Sequence, residues 1–115
     1  MKQLLALVTL MFTMTPVVFA HAVLLEANPA VNSSVPGPDI VVRLRFNSRI
    51  DAVRSRLTLV FPNQTVRPLA LGQQSSPATL NSRLTGLGAG AYTLRWQVLA
   101  ADGHISRGEV PFGIK

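Results

Sequence analysis

Residues Ala91 to Leu99, A-Y-T-L-R-W-Q-V-L, decide the fold class. Tyr92, Leu94, Trp96 and Val98 recur at every second position, with Thr93, Arg95 and Gln97 between them. Successive side chains of an extended strand point to opposite faces, so this stretch reads as a strand with one face in a core and one in water. Working outward, V-V-R-L-R-F repeats the pattern, setting Val42, Leu44 and Phe46 against Arg43 and Arg45. Weaker versions occur in R-L-T-L-V-F (Leu57, Leu59, Phe61) and in the closing V-P-F-G-I (Val110, Phe112, Ile114). Pro111 within that last run predicts an edge position or a bulge, because proline has no N–H to give to a ladder.

Between these runs lie segments rich in Pro, Gly, Asn and Ser: Ala27 to Asp39, Phe61 to Gln64, Gln73 to Pro77, Gly86 to Gly90, and Ala101-Asp102-Gly103-His104. Proline fixes φ and glycine supplies positive φ, so such clusters punctuate strands and interrupt helices. Roughly six or seven short strands, with a turn about every ten residues, predict an all-β domain. The expected architecture is a small antiparallel Greek-key β-sandwich or barrel with Trp96 as its largest inward side chain.

The start of the chain has a different grammar. Lys2 precedes the apolar run Leu4 to Met14, and Val18 and Ala20 are small residues at the positions a signal peptidase wants. The expectation is a signal peptide over residues 1–20, cleaved after Ala20, and one domain over residues 21–115. About 95 residues suffice for one modest core and not for two. Cleavage there makes His21 the new amino terminus. An uncleaved anchor, or a cut one or two residues away, would leave it an ordinary residue.

All three methionines, Met1, Met11 and Met14, belong to the leader, and the 115-residue chain has no cysteine. The exported part therefore has no disulfide, no redox C-x-x-C pair and no soft sulfur-ligated metal site. The formal charge is +6, and nine of the eleven basic residues are arginine. They are spread singly, with no helix-borne cluster and no interleaved aromatic platform, which argues against a nucleic-acid partner. The arginines read as a solvated outer face, with contact to anionic envelope surfaces as a secondary reading.

Few residues remain for chemistry: His21, His104, Glu26, Asp39, Asp51, Asp102 and Glu109. Glu26 and Glu109 read as surface partners of arginine. In Asp102-Gly103-His104, side chains at i and i+2 share a face of an extended chain and the glycine lets the backbone bend. A carboxylate and an imidazole can then meet one ion. The same triplet also reads as a tight turn, since Asp-Gly is a strong hairpin signal. A histidine at a free amino terminus can close a chelate ring through its α-amine and Nδ1. His21, Asp102 and His104 together offer amine nitrogen, two imidazole nitrogens and a carboxylate oxygen. That set suits Cu(II) best among common ions, with Zn(II) and Ni(II) chemically possible. No serine or cysteine sits in a nucleophile motif, so a hydrolase triad is poorly supported.

The order of features resembles the CopC/YobA family of periplasmic copper-resistance proteins. It runs from a leader with A-H at the cut through N-P-A-x-x-x-S and V-x-L-x-F (Val42 to Phe46). L-x-x-G-x-Y-x-L-x-W (Leu87 to Trp96), D-G-H and a closing G-x-V-x-F complete it. The resemblance spans essentially the whole exported chain. It implies a cupredoxin-like or immunoglobulin-like β-sandwich and one Cu(II) ion per chain on His21, Asp102 and His104. It further implies a periplasmic, non-enzymatic role, either buffering copper or delivering it to a CopD-like inner-membrane protein, with no stable membrane insertion after cleavage. Two departures follow. The Met-rich Cu(I) site of some members is not expected, and Asn47 and Ser48 stand where relatives often carry an acid near the metal. Two other functional readings compete with copper carriage. A copper-dependent oxidase would use His21 in a histidine brace, and a metal-free immunoglobulin-like module would use the arginine face for contact.

Overall fold

The computed structural model describes residues 22–115; the predicted leader and His21 lie outside the described residues. Eight strands follow one another: β1 (Leu24–Asn28), β2 (Ser34–Val35), β3 (Ile40–Phe46), β4 (Ile50–Val60), β5 (Val66–Pro68), β6 (Thr79–Leu84), β7 (Gly90–Ala100) and β8 (Ile105–Ile114). They form a three-stranded sheet, β1-β3-β6, and a five-stranded sheet, β2-β8-β7-β4-β5. All pairings are antiparallel except β2 with β8. The chain changes sheets at every connection except β4–β5 and β7–β8, which makes an all-β sandwich of the expected class.

The alternation read from the sequence is the core. Val42, Leu44, Leu59, Leu94, Val98 and Val110 are fully buried, and Phe46, Leu57, Tyr92, Trp96, Phe112 and Ile114 nearly so. At roughly 1.5–3 kcal/mol for each large apolar side chain fully buried, this set can hold a disulfide-free domain together. Phe61 departs from the expectation. It lies just past β4, half-buried, with its ring edge-on to Tyr92 at 5.7 Å and the Arg67 guanidinium 5.0 Å from its centroid. It caps the end of the core rather than filling it.

Eight strands stand against the six or seven expected, and β2 and β5 are the shortest, only two and three residues long. β2 lies inside Ala27 to Asp39, whose composition reads as turn, β5 follows the Phe61 to Gln64 turn, and neither is long enough to display a period. The edge expectation for Pro111 has a simple geometry. Its carbonyl accepts from Asn32 N–H at 2.7 Å, on the edge of β8 away from β7. The missing N–H faces the same edge, where β2, which pairs only with Gly113 and Ile114, does not reach.

Trp96 spans the two sheets, its indole T-shaped against Phe46 at 5.1 Å. It lies opposite Gly108 on β8, where an added Cβ would come within 2.2 Å of the indole. Tyr92 donates its hydroxyl to Gly88 O at 2.8 Å, the tyrosine-corner bond that fastens a crossing loop in Greek-key sandwiches.

Candidate metal centre

β7 and β8 form the longest ladder, from Gly90↔Ile114 to Leu99↔Ile105, and their connection is the D-G-H triplet. Gly103 N–H donates to Ala100 O at 2.9 Å, and Ala100 N–H donates to His104 O at 2.9 Å. Gly103 sits at φ +86°, so Ala101, Asp102 and Gly103 make a three-residue hairpin loop whose last position requires a left-handed backbone. The turn reading and the convergence reading of D-G-H therefore describe the same object.

Within that loop the two side chains fold toward each other. Asp102 Oδ1 accepts the His104 backbone N–H at 3.0 Å, and Asp102 Oδ2 lies 3.2 Å from His104 Nδ1. The backbone N–H, and after it the nearby imidazole, hold the Asp102 carboxyl below the usual aspartate range despite a counteracting desolvation. Both side chains keep about a third or more of their surface in solvent. An ionised carboxylate and an imidazole thus share an accessible corner, a combination that fits a borderline N/O-preferring ion such as Cu(II).

The loop between β3 and β4 underlies this corner. Asn47 Oδ1 accepts from Val23 N–H at 2.8 Å, and Asn47 N–H donates to Val23 O at 3.0 Å. Two residues on, Arg49 O accepts from Ala101 N–H at 3.1 Å, and Ile50 pairs with Ala100. One short loop therefore ties the beginning of the described chain to the base of the D-G-H turn. Ala22, the first described residue, is buried in the core cluster. The resemblance marked Asn47 and Ser48 only as standing where relatives often carry an acid. The structure gives Asn47 a backbone-clamping role, and shields the Ser48 hydroxyl from solvent with no hydrogen-bond partner among the described residues.

The remaining candidates are occupied elsewhere. Glu26 pairs with Arg45 at 3.1 Å and Glu109 with Arg95 at 3.2 Å, as expected of surface partners. Asp39 Oδ1 accepts from Gly86 N–H at 3.0 Å, and Asp51 Oδ1 accepts from Arg54 N–H at 3.3 Å. His21 lies outside the described residues. Among the described residues no group of three or more His, Cys, Asp or Glu side chains is placed to hold a metal ion. Asp102 and His104 are brought together as a pair.

Comparison with known proteins agrees with this architecture. The chain is 29% identical over 104 residues to the YobA protein of Escherichia coli K12, covering 88% of this chain and 84% of that one. Among solved structures it resembles CopC from Methylosinus trichosporium OB3b, with a TM-score of 0.74 at 24% identity over 83% of this chain and 94% of the other. It also resembles PcoC, a methionine-rich copper resistance protein from Escherichia coli, with a TM-score of 0.66 at 24% identity over 84% and 100% of the two chains. These two likenesses show the sandwich. The family model for the CopC domain matches residues 24–115, from the first strand to the last residue, and the chain belongs to the CopC family.

Proposed function

We propose that this chain is an exported Cu(II)-binding protein of the periplasm that acts in copper resistance or homeostasis, as a carrier or buffer rather than an enzyme. The observation that carries the reading is the pairing of an ionised Asp102 with His104 on an accessible turn, tied through the Asn47–Arg49 loop to the start of the domain. His21, freed by cleavage after Ala20, would add its α-amine and imidazole to that pair and complete one Cu(II) site per chain. Bound copper would be held in the tetragonal N/O environment that Cu(II) favours. Asp102 supplies negative charge to offset the ion, and its contact with His104 Nδ1 orients the ring, as carboxylate partners do for metal-binding imidazoles. Membership of the CopC family and likeness to proteins named for copper resistance support the same reading. The exported domain has no methionine or cysteine, so Cu(I) lacks its preferred donors. A CopD-like inner-membrane protein is the proposed recipient.

Titration of the processed protein with Cu(II), followed by electron paramagnetic resonance, tests the proposal. One equivalent should give a single tetragonal signal with nitrogen couplings. His104→Ala should remove one nitrogen coupling and weaken binding at least about tenfold. An unchanged spectrum in that variant, or no ordered signal in the parent, would exclude the site.

A further inference from the structure

The outer face of the five-stranded sheet changes character along its length. Register across β4, β7 and β8 sets the outward residues in rows. Asp51, Leu99 and Ile105 lie beside the D-G-H turn; next come Arg56, Gln97 and Arg107, and then Thr58, Arg95 and Glu109. Between the first two rows β4 leaves the ladder and bulges. The excursion is fastened at both ends. Besides the Asp51–Arg54 bond, Ser55 Oγ donates to Asp51 O at 2.6 Å and accepts from Leu99 N–H at 3.1 Å. It holds out Val53, which is 96% exposed, at the same end of the face as Ile105, which is 52% exposed and lies two strands away on β8.

Single exposed aliphatic residues are ordinary, but an aliphatic tip on a braced bulge beside a row of guanidinium groups is a pattern with a use. Charge on the face is unbalanced. Glu109 is answered by Arg95, and Asp51 faces Arg54 at 3.9 Å. Arg107 Nε donates to the neutral Gln97 Oε1 at 2.9 Å, with Arg56 on the other side of the same glutamine. Among the described residues Arg56 and Arg107 are left as excess positive charge on this face. No aromatic residue lies in these rows, although aromatic anchors are what tight protein interfaces favour.

We infer that this face docks on an anionic phospholipid surface. Val53, Leu99 and Ile105 enter the boundary between headgroups and acyl chains, while Arg56 and Arg107 take phosphates, for which the planar guanidinium fork is suited. Contact is peripheral and reversible, and screened by salt. It would hold the neighbouring D-G-H turn near the membrane plane. The inference goes beyond copper binding and needs neither the metal nor His21.

The test is sedimentation of the processed, metal-free protein with two kinds of vesicle, phosphatidylcholine alone and an equal mixture with phosphatidylglycerol. Removing the leader matters, because its apolar run would bind lipid by itself. Binding to the mixed vesicles alone is expected. Arg56→Glu/Arg107→Glu should lower it more than tenfold, since each basic residue near such a surface contributes about fivefold. Val53→Asp should lower it with every arginine intact. Arg43→Glu/Arg83→Glu, two exposed positions on the other sheet, makes the same change in net charge and should bind as the parent does. Far-ultraviolet circular dichroism checks that each variant is folded. Failure of the parent to bind mixed vesicles overturns the inference and leaves the face to a protein partner. Equal loss in both charge-reversal variants also overturns it, because net charge alone would then explain the binding.

Discussion

Asp102 uses one carboxylate in two directions, Oδ1 toward its own turn and Oδ2 toward the neighbouring imidazole. The larger influence on its acidity is the backbone N–H of His104, with the imidazole charge following. In the metal-free protein its side-chain carboxyl carbon, followed by NMR, should therefore titrate below the ordinary aspartate value. His104→Ala should leave most of that lowering in place, because alanine keeps the N–H. The sign follows from linkage: a depressed carboxyl contributes stability above its unfolded value and loses it as pH falls through the folded one. The contribution is small at so exposed a position. If the carboxyl returns to the ordinary value in His104→Ala, the imidazole rather than the backbone governs the turn. The convergence of Asp102 and His104 was legible from i, i+2 spacing around a glycine. The role of Asn47 was not, since its partner, Val23, is distant in sequence and only the fold sets them face to face.

At the scale of elements, legibility tracked how cleanly a strand separates its two faces. β7 and β3 alternate strictly and were plain in the sequence. β6 was hidden because its inward positions include Ser82, whose hydroxyl is satisfied inside by donating to Ala70 O at 2.7 Å, so a polar letter stands where the pattern asks for an apolar one. β1 was hidden by a bulge between Leu24 and Glu26 that breaks the period. Gly108 is the counterpart on β8: a glycine generally weakens a strand, yet here it leaves the space that the Trp96 indole occupies. Gly108→Ala would drive a Cβ into a ring already held against Phe46, and overpacking of that kind costs about 1–3 kcal/mol. For a domain of this size each kcal/mol moves the midpoint by about 4–8 °C. Thermal unfolding of Gly108→Ala should therefore begin at least several degrees lower, and an unchanged midpoint would mean that Trp96 can move aside without cost.

For the whole molecule, the decisive fact is which end of the sandwich the chain visits repeatedly. β1 starts there, β3 leaves from there, β4 enters there and the β7–β8 hairpin turns there, with the Asn47–Arg49 loop bonded to both Val23 and Ala101. Period and turn composition reveal strands and loops but carry no information on which ends meet; that is fixed by how two sheets bury a common core. The proposed site, built from the amino terminus and a hairpin some eighty residues later, would depend on this arrangement and on where the expected leader is cut. The proposed cleavage after Ala20 would expose the α-amine of His21, whereas any preceding residue would convert it to an amide that cannot serve as the same donor. A protein carrying one extra glycine before His21 should fold with the same thermal midpoint, because the core of the described residues is built from Ala22 onward. It should nevertheless bind Cu(II) at least about tenfold more weakly in competition with a chromophoric chelator, and its paramagnetic signal should lose the amine nitrogen. Equal affinity in the extended and processed forms would remove the amine from the proposed site, and with it the proposal that copper competence arises only on export.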